Sequence, residues 1–438
     1  MLYPFCKKIG ALIFGHLFFL QILSISAAGE DHIAVGYGGV YTAGNEHNYP
    51  VYSRNKSRFN IMVKNTLERM SEEKRLPFNL LFETDIESRK QDIDNPYTLA
   101  VVVTRDDVAQ EKFSAPSAVI NKIMVNVGVV VVIYQTVEDI SGKKRNTVVF
   151  SLPFVGYSMN LEGKRGLSDR EIDDLFVKNA SVVIEEHLSK RLQKTPLVKI
   201  EGAITDVRQG EAIINIGSTN GLDEEQRVSF FQDNEKVGIG KIKLLKKSEA
   251  IVKIENDKFI PRIGMKVVAF NVKGVSTGTY QIVEFKISSK KAALMFQEKT
   301  IGSQIAQWLS DFIVDKAGKV VLPTKVGGEW IDTATETSFM KLVKDGQEHI
   351  FEVPPPKYPV FVDLTGVSSK MADSNNVNEI WIYKAWLKIN IPSKGYSKEY
   401  SDNAAKNVVQ GIQSFQEKDE LFDLIHRLSA KIAKEGDL

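Results

Sequence analysis

A serine flanked by glycines offers the first chemistry in the sequence. Gly274, Ser276 and Gly278 have the G-x-S-x-G spacing with which many hydrolases present a nucleophile. That arrangement needs a strand that ends at the serine and a helix that begins directly after it. Here a strand-like segment ends near residue 270, and residues 279–287 are again strand-like. We therefore predict a linker, and a hydrolase remains the alternative that loss of activity in Ser276→Ala would support.

Neither the histidines nor the cysteine is spaced like a metal site. Zinc and iron sites need converging imidazole, thiolate or carboxylate ligands, and metal-binding motifs repeat them at short fixed spacings. No two histidines lie three to five residues apart, and Cys6 is the single cysteine. Beyond residue 28 the histidines are His32, His47, His187, His349 and His426. We predict no metal site.

Three pairs of adjacent carboxylates could supply acid–base chemistry. They are Asp106 and Asp107, Asp173 and Asp174, and Glu185 and Glu186. The last two pairs fall on a predicted helix, where adjacent residues point to different sides, so we interpret them as solvated faces. Asp106 and Asp107 end a predicted strand, where a site could sit, but the sequence does not reveal their partner. We therefore predict no catalytic residue and no enzymatic activity.

Two glycine-rich stretches could suggest a nucleotide site. Residues 36–39 (GYGG) follow an apolar run, but no helix is predicted directly after them, as dinucleotide binding requires. Residues 238–241 (GIGK) resemble the end of a P-loop, but Ile242 takes the place of the required Ser or Thr. We predict an ordered loop and a strand at these two places, and no bound cofactor.

The amino-terminal residues have the pattern of a secretory signal peptide. Two lysines precede an apolar run over residues 9–25, and Ser26 and Ala28 suit cleavage after Ala28. We predict a cleaved signal peptide at residues 1–28 and a periplasmic mature protein, with an uncleaved anchor helix as the alternative. Cys6 would leave with the peptide, so the exported chain would have no disulfide and no amino-terminal cysteine to carry a lipid.

Length, composition and charge narrow the class of protein. The chain has 438 residues, of which 43% are hydrophobic and 26% charged, as in folded proteins with several domains. Without residues 1–28 it would carry 55 basic and 55 acidic side chains. The densest lysine run, over residues 241–247, is interrupted by Ile242, Leu244 and Leu245. Because phosphate tracks need clustered basic residues, we predict no nucleic-acid partner.

The same order of elements is predicted twice along the chain. Apolar residues at helical spacing over residues 57–74 are followed by short strands, a long hairpin and a helix that begins at a capping box at Ser168. The predicted strands of this first copy are residues 78–82, 97–104, 120–137 and 147–161. A second copy follows with a helix over 301–313, strands at 320–322, 358–365, 379–391 and 396–400, and a helix from Ser414.

Between the copies, residues 198–271 form a series of short predicted strands separated by turn residues. The strands are residues 200–204, 211–216, 227–231, 237–245, 250–255 and 266–270. Regular short strands with turns such as Ser218-Thr219-Asn220-Gly221 predict a small closed or nearly closed barrel. We expect this barrel to space or dock the flanking domains.

One predicted strand is apolar on both of its faces. Residues 125–133 (VNVGVVVVI) place valine or isoleucine at alternate and adjacent positions alike. Either this is a central strand, covered by helices on one face and by another domain or subunit on the other, or it enters a membrane barrel as part of an oligomerised hairpin. Ser151, Pro153, Ser158 and Asn160 on the neighbouring strand favour the first interpretation.

The middle segment resembles the SH3-like domain of the flagellar assembly protein T family. The residues that carry the resemblance are Gly202 to Val207 (GAITDV), Ile214 to Gly221 (INIGSTNG), Val237 to Ile242 (VGIGKI), Ile263 and Gly264. The outer segments resemble, in order of elements, modules shared by that family, the curli secretion lipoproteins, the lipoprotein activators of penicillin-binding proteins and the amino-terminal domain of the Tol propeller protein.

The resemblance implies an α+β fold in which two similar helix-and-hairpin α/β domains, residues 29–195 and 279–438, flank an SH3-like β-barrel at residues 196–272. It also implies a non-enzymatic periplasmic scaffold or assembly factor of an envelope complex of a Gram-negative bacterium, with a ring around the flagellar motor as the leading case. The alternative is a subunit of an outer-membrane secretion system related to curli export. Expected partners are other envelope or flagellar-motor proteins and further copies of the chain, with at most peripheral contact with a membrane.

Overall fold

The computed structural model describes most of the chain from residue 34 onwards. The described residues are 34–76, 78–82, 97–115, 118–138, 144–162, 167–188, 197–224, 226–233, 235–255, 259–272, 278–333, 337–375, 378–409 and 413–435. The predicted signal peptide lies outside these residues and stays a prediction. From Ala34 onwards the chain forms one compact unit.

Three segments follow one another along the chain. The first consists of β1 (Ala34–Thr42), α1 (Pro50–Glu72), β2 (Asn79–Leu81), β3 (Tyr97–Arg105), β4 (Val108–Ala115), β5 (Ala118–Glu138), β6 (Lys144–Glu162) and α2 (Asp169–Val183), which continues as a π-helical turn, Ile184–Leu188. The middle segment consists of β7 (Leu197–Arg208), β8 (Glu211–Ile214), β9 (Arg227–Gln232), β10 (Glu235–Leu245), β11 (Ala250–Ile254) and β12 (Lys266–Val272).

The third segment completes the chain. It consists of β13 (Thr279–Ile287), α3 (Lys290–Met295), α4 (Glu298–Ala317), β14 (Val320–Val321), β15 (Trp330–Asp332), β16 (Ser338–Lys344), β17 (Gln347–Val353), β18 (Tyr358–Ser374), β19 (Asn378–Ile391), β20 (Tyr396–Val409) and α5 (Gln413–Glu435). Short 3₁₀ turns occur at Glu46–Asn48, Ser218–Asn220 and Pro392–Lys394.

The middle segment forms a closed six-stranded barrel, which we call the central barrel. Its strands follow the order β10-β11-β8-β7-β12-β9, and β9 pairs with β10 to close the ring. Alternate residues of each strand point inward, so that Ile204, Ile214 and Val252 are fully buried. Phe230 and Phe259 stack inside, with 5.0 Å between their ring centroids.

The first and third segments share one sheet of 14 strands. Its main path runs β20-β19-β18-β13-β14-β6-β17-β16-β1-β3-β5-β4, so strands of the third segment lie between strands of the first. The two segments meet where β14 pairs antiparallel with β6, placing Val321 opposite Ser151. They meet again where β17 pairs with β6 and β16 pairs with β1.

These contacts close a second barrel, which we call the shared barrel. Because β5 also pairs with β6, the strands β1, β3, β5, β6, β17 and β16 form a ring. Its interior is filled from both segments. The buried residues are Tyr41, Ala100, Val102, Val130, Val132, Tyr134 and Val148 from the first segment, and Leu322, Met340, Leu342, Phe351 and Val353 from the third.

The predicted fold class is therefore wrong. More residues lie in strands than in helices, and the outer segments are not two separate helix-and-hairpin α/β domains flanking a small barrel. The physical reason is the apolar β5. One row of its side chains, including Val130 and Val132, is buried inside the shared barrel. The other row, including Val129 and Val131, is also buried, and α2 packs against this strand. The third segment therefore buries one face of β5, and α2 buries the other.

The outer segments nevertheless pair their strands in the same order. The first pairs β2-β1-β3-β5-β6, and the third pairs β14-β13-β18-β19-β20. Each has a β-bulge after the third residue pair of its parallel strands, at Gly38 and at Val283. Each has a second bulge in the next ladder, at Thr104 and at Thr365. The bulges fix which residues correspond.

Replacement of Phe351 by alanine should destabilise the first and third segments together. Its ring contacts Tyr41 and Tyr134 of the first segment, with centroids 5.7 and 5.0 Å away. We expect a loss of about 3–5 kcal/mol in the free energy of unfolding, because a buried aromatic ring leaves a cavity. Urea unfolding measures the loss, and amide hydrogen exchange in β3 and β5 should speed up.

Ile350→Ala is the matched control. Ile350 precedes Phe351 on β17 and is 43% exposed, so we expect a loss below about 1 kcal/mol. Unchanged exchange in β3 and β5 of Phe351→Ala would show that the two segments do not share a core.

Candidate functional site

A large cleft lies where the first and third segments meet. It has a volume of about 820 Å³, and we call it the junction cleft. The end of β3, the start of β4 and the middle of β5 form one side, while β13, α3, α4 and the first turns of α5 form the other. Its apolar lining includes Met124, Ile287, Phe296, Ile301 and Phe422. Leu294 stands at its mouth and is 89% exposed.

The polar side of the junction cleft is built around an ion pair. The Arg105 guanidinium binds the Asp107 carboxylate through two nitrogens, with Nη2 donating to Oδ2 at 3.0 Å and Nε donating to Oδ1. Asn126 Nδ2 donates to the same Oδ2 at 2.8 Å, and its backbone N–H donates to the Asp107 carbonyl at 2.9 Å. Arg105 Nη1 donates to Gln304 Oε1 on α4.

Two buried amides at this site keep unused hydrogen-bonding atoms. Asn126 is 2% exposed and Gln304 is 1% exposed. Their partners fix their orientation, since the Asn126 NH₂ group faces a carboxylate and the Gln304 oxygen faces a guanidinium. Asn126 Oδ1 and Gln304 Nε2 have no hydrogen-bond partner among the residues that the structure describes. An unused acceptor and an unused donor thus belong to the two amides that flank the ion pair.

A third buried amide continues the polar row by one helical turn. Gln307 Nε2 donates to Thr104 Oγ1, and Gln307 Oε1 has no partner in the described part of the chain. Gly128 leaves room for it, because a Cβ at that position would lie 3.1 Å from Gln307 Oε1 and 2.8 Å from Thr104 Oγ1. We call Asn126, Gln304 and Gln307 the amide row.

Local structure explains why these side chains meet. The bulge at Thr104 changes the direction of the side chains at the end of β3, which is a common role of bulges near sites. On α4 the spacing of Gln304 and Gln307 places both on one face, next to the apolar stripe that contains Ile305 and Leu309. The helix therefore presents amides to the first segment and aliphatic groups to its own sheet.

The arrangement suits a neutral polar ligand. Arg105 and Asp107 neutralise each other, and the amide row carries no charge. A charged group bound beside Arg105 and Asp107 would have to displace one member of the ion pair, whereas a group with one donor and one acceptor complements Asn126 Oδ1 and Gln304 Nε2. Glu298, Lys418 and Asp419 carry charge elsewhere along the lining. The polar side of the junction cleft can thus orient an uncharged ligand, while its apolar side supplies contact area.

Asp106 has a structural task. It is 4% exposed, and its Oδ2 accepts from the backbone N–H of Tyr52 at 2.8 Å. The residue before α1, Tyr49, makes no side-chain cap, so a carboxylate from the end of β3 caps this helix instead. Burial raises the pKa of Asp106 to about 6, although the backbone N–H groups of Tyr52 and Val51 oppose the shift.

The other carboxylate pairs lie between helices. Asp173 binds Arg54 at 2.9 Å, Asp174 binds Arg58 at 2.6 Å and Glu185 binds Arg69 at 2.5 Å. All three ion pairs join α2 or its π-helical turn to α1 at the surface, where each contributes little to stability. The structure thus brings only Asp107 of the predicted pairs into the junction cleft.

The glycine-rich stretches have packing roles. In residues 36–39, a Cβ on Gly38 would lie 2.8 Å from Tyr134 Oη, and Lys344 Nζ donates to the Gly38 carbonyl at 2.9 Å. This stretch lies on β1 rather than in the predicted loop. In the central barrel, a Cβ on Gly238 would lie 2.4 Å from the Phe259 ring, and one on Gly240 would lie 2.4 Å from Val252.

The residues behind the sequence resemblance also support the central barrel. Asn215 Oδ1 accepts from the backbone N–H of Ala203 at 2.8 Å and so ties β7 to the chain after β8. A Cβ on Gly217 would lie 2.4 Å from the Lys246 carbonyl, and Gly221 has a φ of +95°. Both glycines are therefore required by the turn around Ser218–Asn220 rather than by a ligand.

The remaining predicted candidates do not converge. Ser276 and Gly274 lie outside the described residues, as does His32. His349 packs against Tyr41, and His426 lies 4.7 Å from the Trp308 ring, where burial lowers its pKa. Within the described ranges no three His, Cys, Asp or Glu side chains are placed to hold a metal ion. No helix in the same ranges combines the length and apolar composition needed to cross a bilayer.

Asn126, Gln304 and Gln307 were not among the residues predicted from the sequence to form a site. Asn126 interrupts the apolar run of β5, and the two glutamines lie among apolar residues at helical spacing. Polar residues at buried positions are a signal of a site or of a packed interface. The signal was present, but nothing in the sequence showed that the three amides come together.

Comparison with known proteins adds little. The chain matches no protein-family model, and no curated protein shows significant sequence similarity to it. Among solved structures, the crystal structure of a lipopolysaccharide binding protein aligns with 76% of this chain and 80% of that chain, at 9% identity and a TM-score of 0.10. A similarity of this size supports no conclusion about fold or function.

Replacement of Asp106 by asparagine should change how stability depends on pH. The folded pKa of about 6 is above the unfolded value of about 3.9, so the native state binds the proton more tightly and the wild type loses stability as pH rises from 4 to 6. An asparagine side chain cannot titrate. Relative to wild type, Asp106→Asn should therefore gain up to about 3 kcal/mol between pH 4 and pH 7.

Urea unfolding of both proteins at several pH values between 4 and 7 measures this difference. Parallel stability curves for the two proteins would show that the Asp106 carboxyl is not perturbed by burial.

Proposed function

We propose that this chain is an exported, non-catalytic binding protein that joins an assembly of the cell envelope, and that the junction cleft receives a segment of its partner. The observation that carries the proposal is the composition of this cleft, with an apolar lining on one side and Asn126 and Gln304 of the amide row beside a neutralised ion pair on the other. Such a combination provides both contact area and orientation for a ligand.

The mouth of the junction cleft favours a protein partner. Leu294 is 89% exposed on the short helix α3, and Met295 and Phe296 follow it along the lining. Leu294 extends the apolar lining of the cleft to its outer surface, and contiguous apolar surface of this kind is typical of interaction sites. A partner side chain that covers Leu294 would remove this apolar area from water.

The amide row favours a peptide segment as the bound group. A backbone peptide unit carries one N–H donor and one carbonyl acceptor, which is the complement of Asn126 Oδ1 and Gln304 Nε2. Both amides are almost fully buried, at 2% and 1% exposure, so a peptide group reaches them only when side chains at the surface of the cleft move aside. A neutral segment with apolar side chains fits this chemistry better than an acidic or basic one.

Export and the identity of the partner rest on the sequence alone. The pattern of residues 1–28 predicts export to the periplasm, and attachment to the outer membrane stays an alternative. The resemblance of the middle segment predicts a ring at the flagellar motor, with a secretion system related to curli export as the alternative. The flagellar and the secretion-system assignments are both predictions, and identification of the partner would distinguish them.

Leu294→Asp should reduce partner binding without unfolding the protein. The side chain is exposed, so the folded state tolerates a charge, whereas a charge in an apolar contact opposes binding. Mild crosslinking in the native envelope, followed by purification and mass spectrometry, identifies the partner. We expect its recovery to fall by about ten-fold or more in the variant.

Ile260→Asp is the matched control. Ile260 is 74% exposed on the central barrel and does not line the junction cleft, so its replacement should leave recovery of the partner unchanged. Equal recovery with Leu294→Asp and wild type would rule out the junction cleft as the binding site. Recovery of outer-membrane pore proteins alone would remove the flagellar assignment in favour of the secretion system.

A further inference from the structure

A second groove lies between α1, β1 and the end of β16, and we call it the lysine groove. It has a volume of about 320 Å³, which is within the range of sites for small molecules. Tyr37, Ile61 and Phe82 form its apolar part, and Lys64 and Lys344 are its cations. Among the described residues no carboxylate lines it.

Lys344 enters the lysine groove from the third segment. Its Nζ donates to the Gly38 carbonyl at 2.9 Å and lies 5.6 Å from the centroid of the Tyr41 ring. An ammonium group has three N–H donors, and within the described ranges Lys344 forms no other hydrogen bond and no ion pair. The neighbouring Asp345 pairs with Lys56 instead, at 3.1 Å. The charge of Lys344 and two of its donors are therefore available to a ligand or to water.

A glycine of β1 makes room for this lysine. Gly38 is the bulged residue of β1, and Gly39 follows it with a φ of +95°. A Cβ on Gly39 would lie 2.8 Å from Lys344 Nζ. The bulge itself does not require glycine, because Val283 occupies the corresponding place in the third segment, and neither Val283 nor Glu284 has a positive φ. Gly39 therefore admits the Lys344 ammonium to the groove.

The aromatic part of the lysine groove carries the second cation. The Tyr37 and Phe82 rings lie 5.3 Å apart between centroids, and Lys64 Nζ lies 5.6 Å from the Phe82 centroid. Lys64 is exposed and contacts Glu68 at 3.6 Å, which offsets part of its charge. Burial raises the pKa of Tyr37, so its phenol stays protonated and adds no negative charge. The lining thus combines apolar surface with positive charge.

We propose that the lysine groove binds a carboxylate that is attached to an apolar or aromatic body. The carboxylate accepts hydrogen bonds from Lys344 and is attracted by Lys64, and hydrogen bonds between charged groups are stronger than those between neutral groups. The body packs beside Tyr37 and covers Ile61, which is 60% exposed. A small organic acid has this chemistry, and so does the carboxyl terminus of a protein that ends in a large apolar residue.

The lysine groove goes beyond the proposed function and does not depend on it. The groove and the junction cleft share no lining residue. Their polar parts also differ, because Arg105 in the junction cleft is neutralised by Asp107, whereas Lys344 has no carboxylate within 4.0 Å among the described residues. Failure of binding at one site therefore leaves the other unaffected.

Phenylacetate, phenylacetamide and acetate test the two parts of the ligand separately. Titration of the full chain, followed by the backbone amide NMR signals of Gly38 and Gly39, measures binding at the lysine groove. We expect saturable shifts with phenylacetate. The other two should bind at least about ten-fold more weakly, because phenylacetamide lacks the charge and acetate lacks the ring. Phenylacetate binding should also weaken as the salt concentration rises.

Lys344→Met should weaken phenylacetate binding by about ten-fold or more, because it removes a charged hydrogen-bond donor. Lys341→Met is the matched control. Lys341 precedes Lys344 on β16, pairs with Glu348 at 2.8 Å and does not line the groove, so its replacement should leave the affinity unchanged. Lys64→Met should have a smaller effect than Lys344→Met, and urea unfolding verifies that each variant is folded.

Ile61→Asp tests the lysine groove without removing the contact between Lys344 and Gly38. A carboxylate at this exposed position repels an anion, so phenylacetate binding should fall by about five-fold. Ile260→Asp adds the same charge on the central barrel, and Leu294→Asp adds it at the junction cleft. Neither of these two variants should change the affinity for phenylacetate.

The peptide acetyl-Ala-Ala-Phe, with a free carboxylate or as its amide, distinguishes the two sources of the ligand. Binding of the acid peptide at least about ten-fold tighter than phenylacetate identifies the carboxyl terminus of a protein, and equal or weaker binding identifies a small organic acid. Equal affinities for phenylacetate and phenylacetamide would overturn the proposal, as would an unchanged affinity in Lys344→Met. Absence of saturable shifts with both phenylacetate and the acid peptide would overturn it as well.

Discussion

The structure depends on backbone hydrogen bonding across the line where the first and third segments meet. β6 belongs to the first segment, yet β14 and β17 of the third segment pair along its outer edge. Without them β6 would be an edge strand and the row of valines inside the shared barrel would face water. The same pairing brings α4 next to β3 and β5, and therefore creates both the junction cleft and the amide row.

Local elements were largely predictable from the sequence, because their signals are local. The strands of the central barrel alternate apolar and polar residues between turns, and α1 carries apolar residues at helical spacing. The hairpin of β16 and β17 was missed, although Asp345 and Gly346 at its turn are a known hairpin signal and both have positive φ. The place where that hairpin packs could not be predicted, since pairing between strands some two hundred residues apart leaves no period in the sequence.

In the candidate site, too, the local features could be predicted from the sequence and the long-range contacts could not. Asp106 and Asp107 were recognised as adjacent carboxylates at the end of a strand, but they have different tasks. Asp106 caps α1, whereas Asp107 neutralises Arg105. Which carboxylate points to which element depends on the bulge at Thr104, and a bulge is a property of the paired strands rather than of one strand. The uncharged amides that complete the site carry no motif, so only the tertiary structure identifies them.

The shared barrel also sets an order of events during biogenesis. Its first strand lies near residue 34 and its closing hairpin ends at Val353, so most of the polypeptide must emerge before the ring can close. Until then β5 and β6 expose an apolar face, and a face of this kind favours aggregation before folding is complete. Contacts between strands so distant in sequence also slow folding, because the long chain segment between the strands must close before the contacts can stabilise the fold. A holding chaperone would therefore act in the interval between the synthesis of β6 and the synthesis of β17.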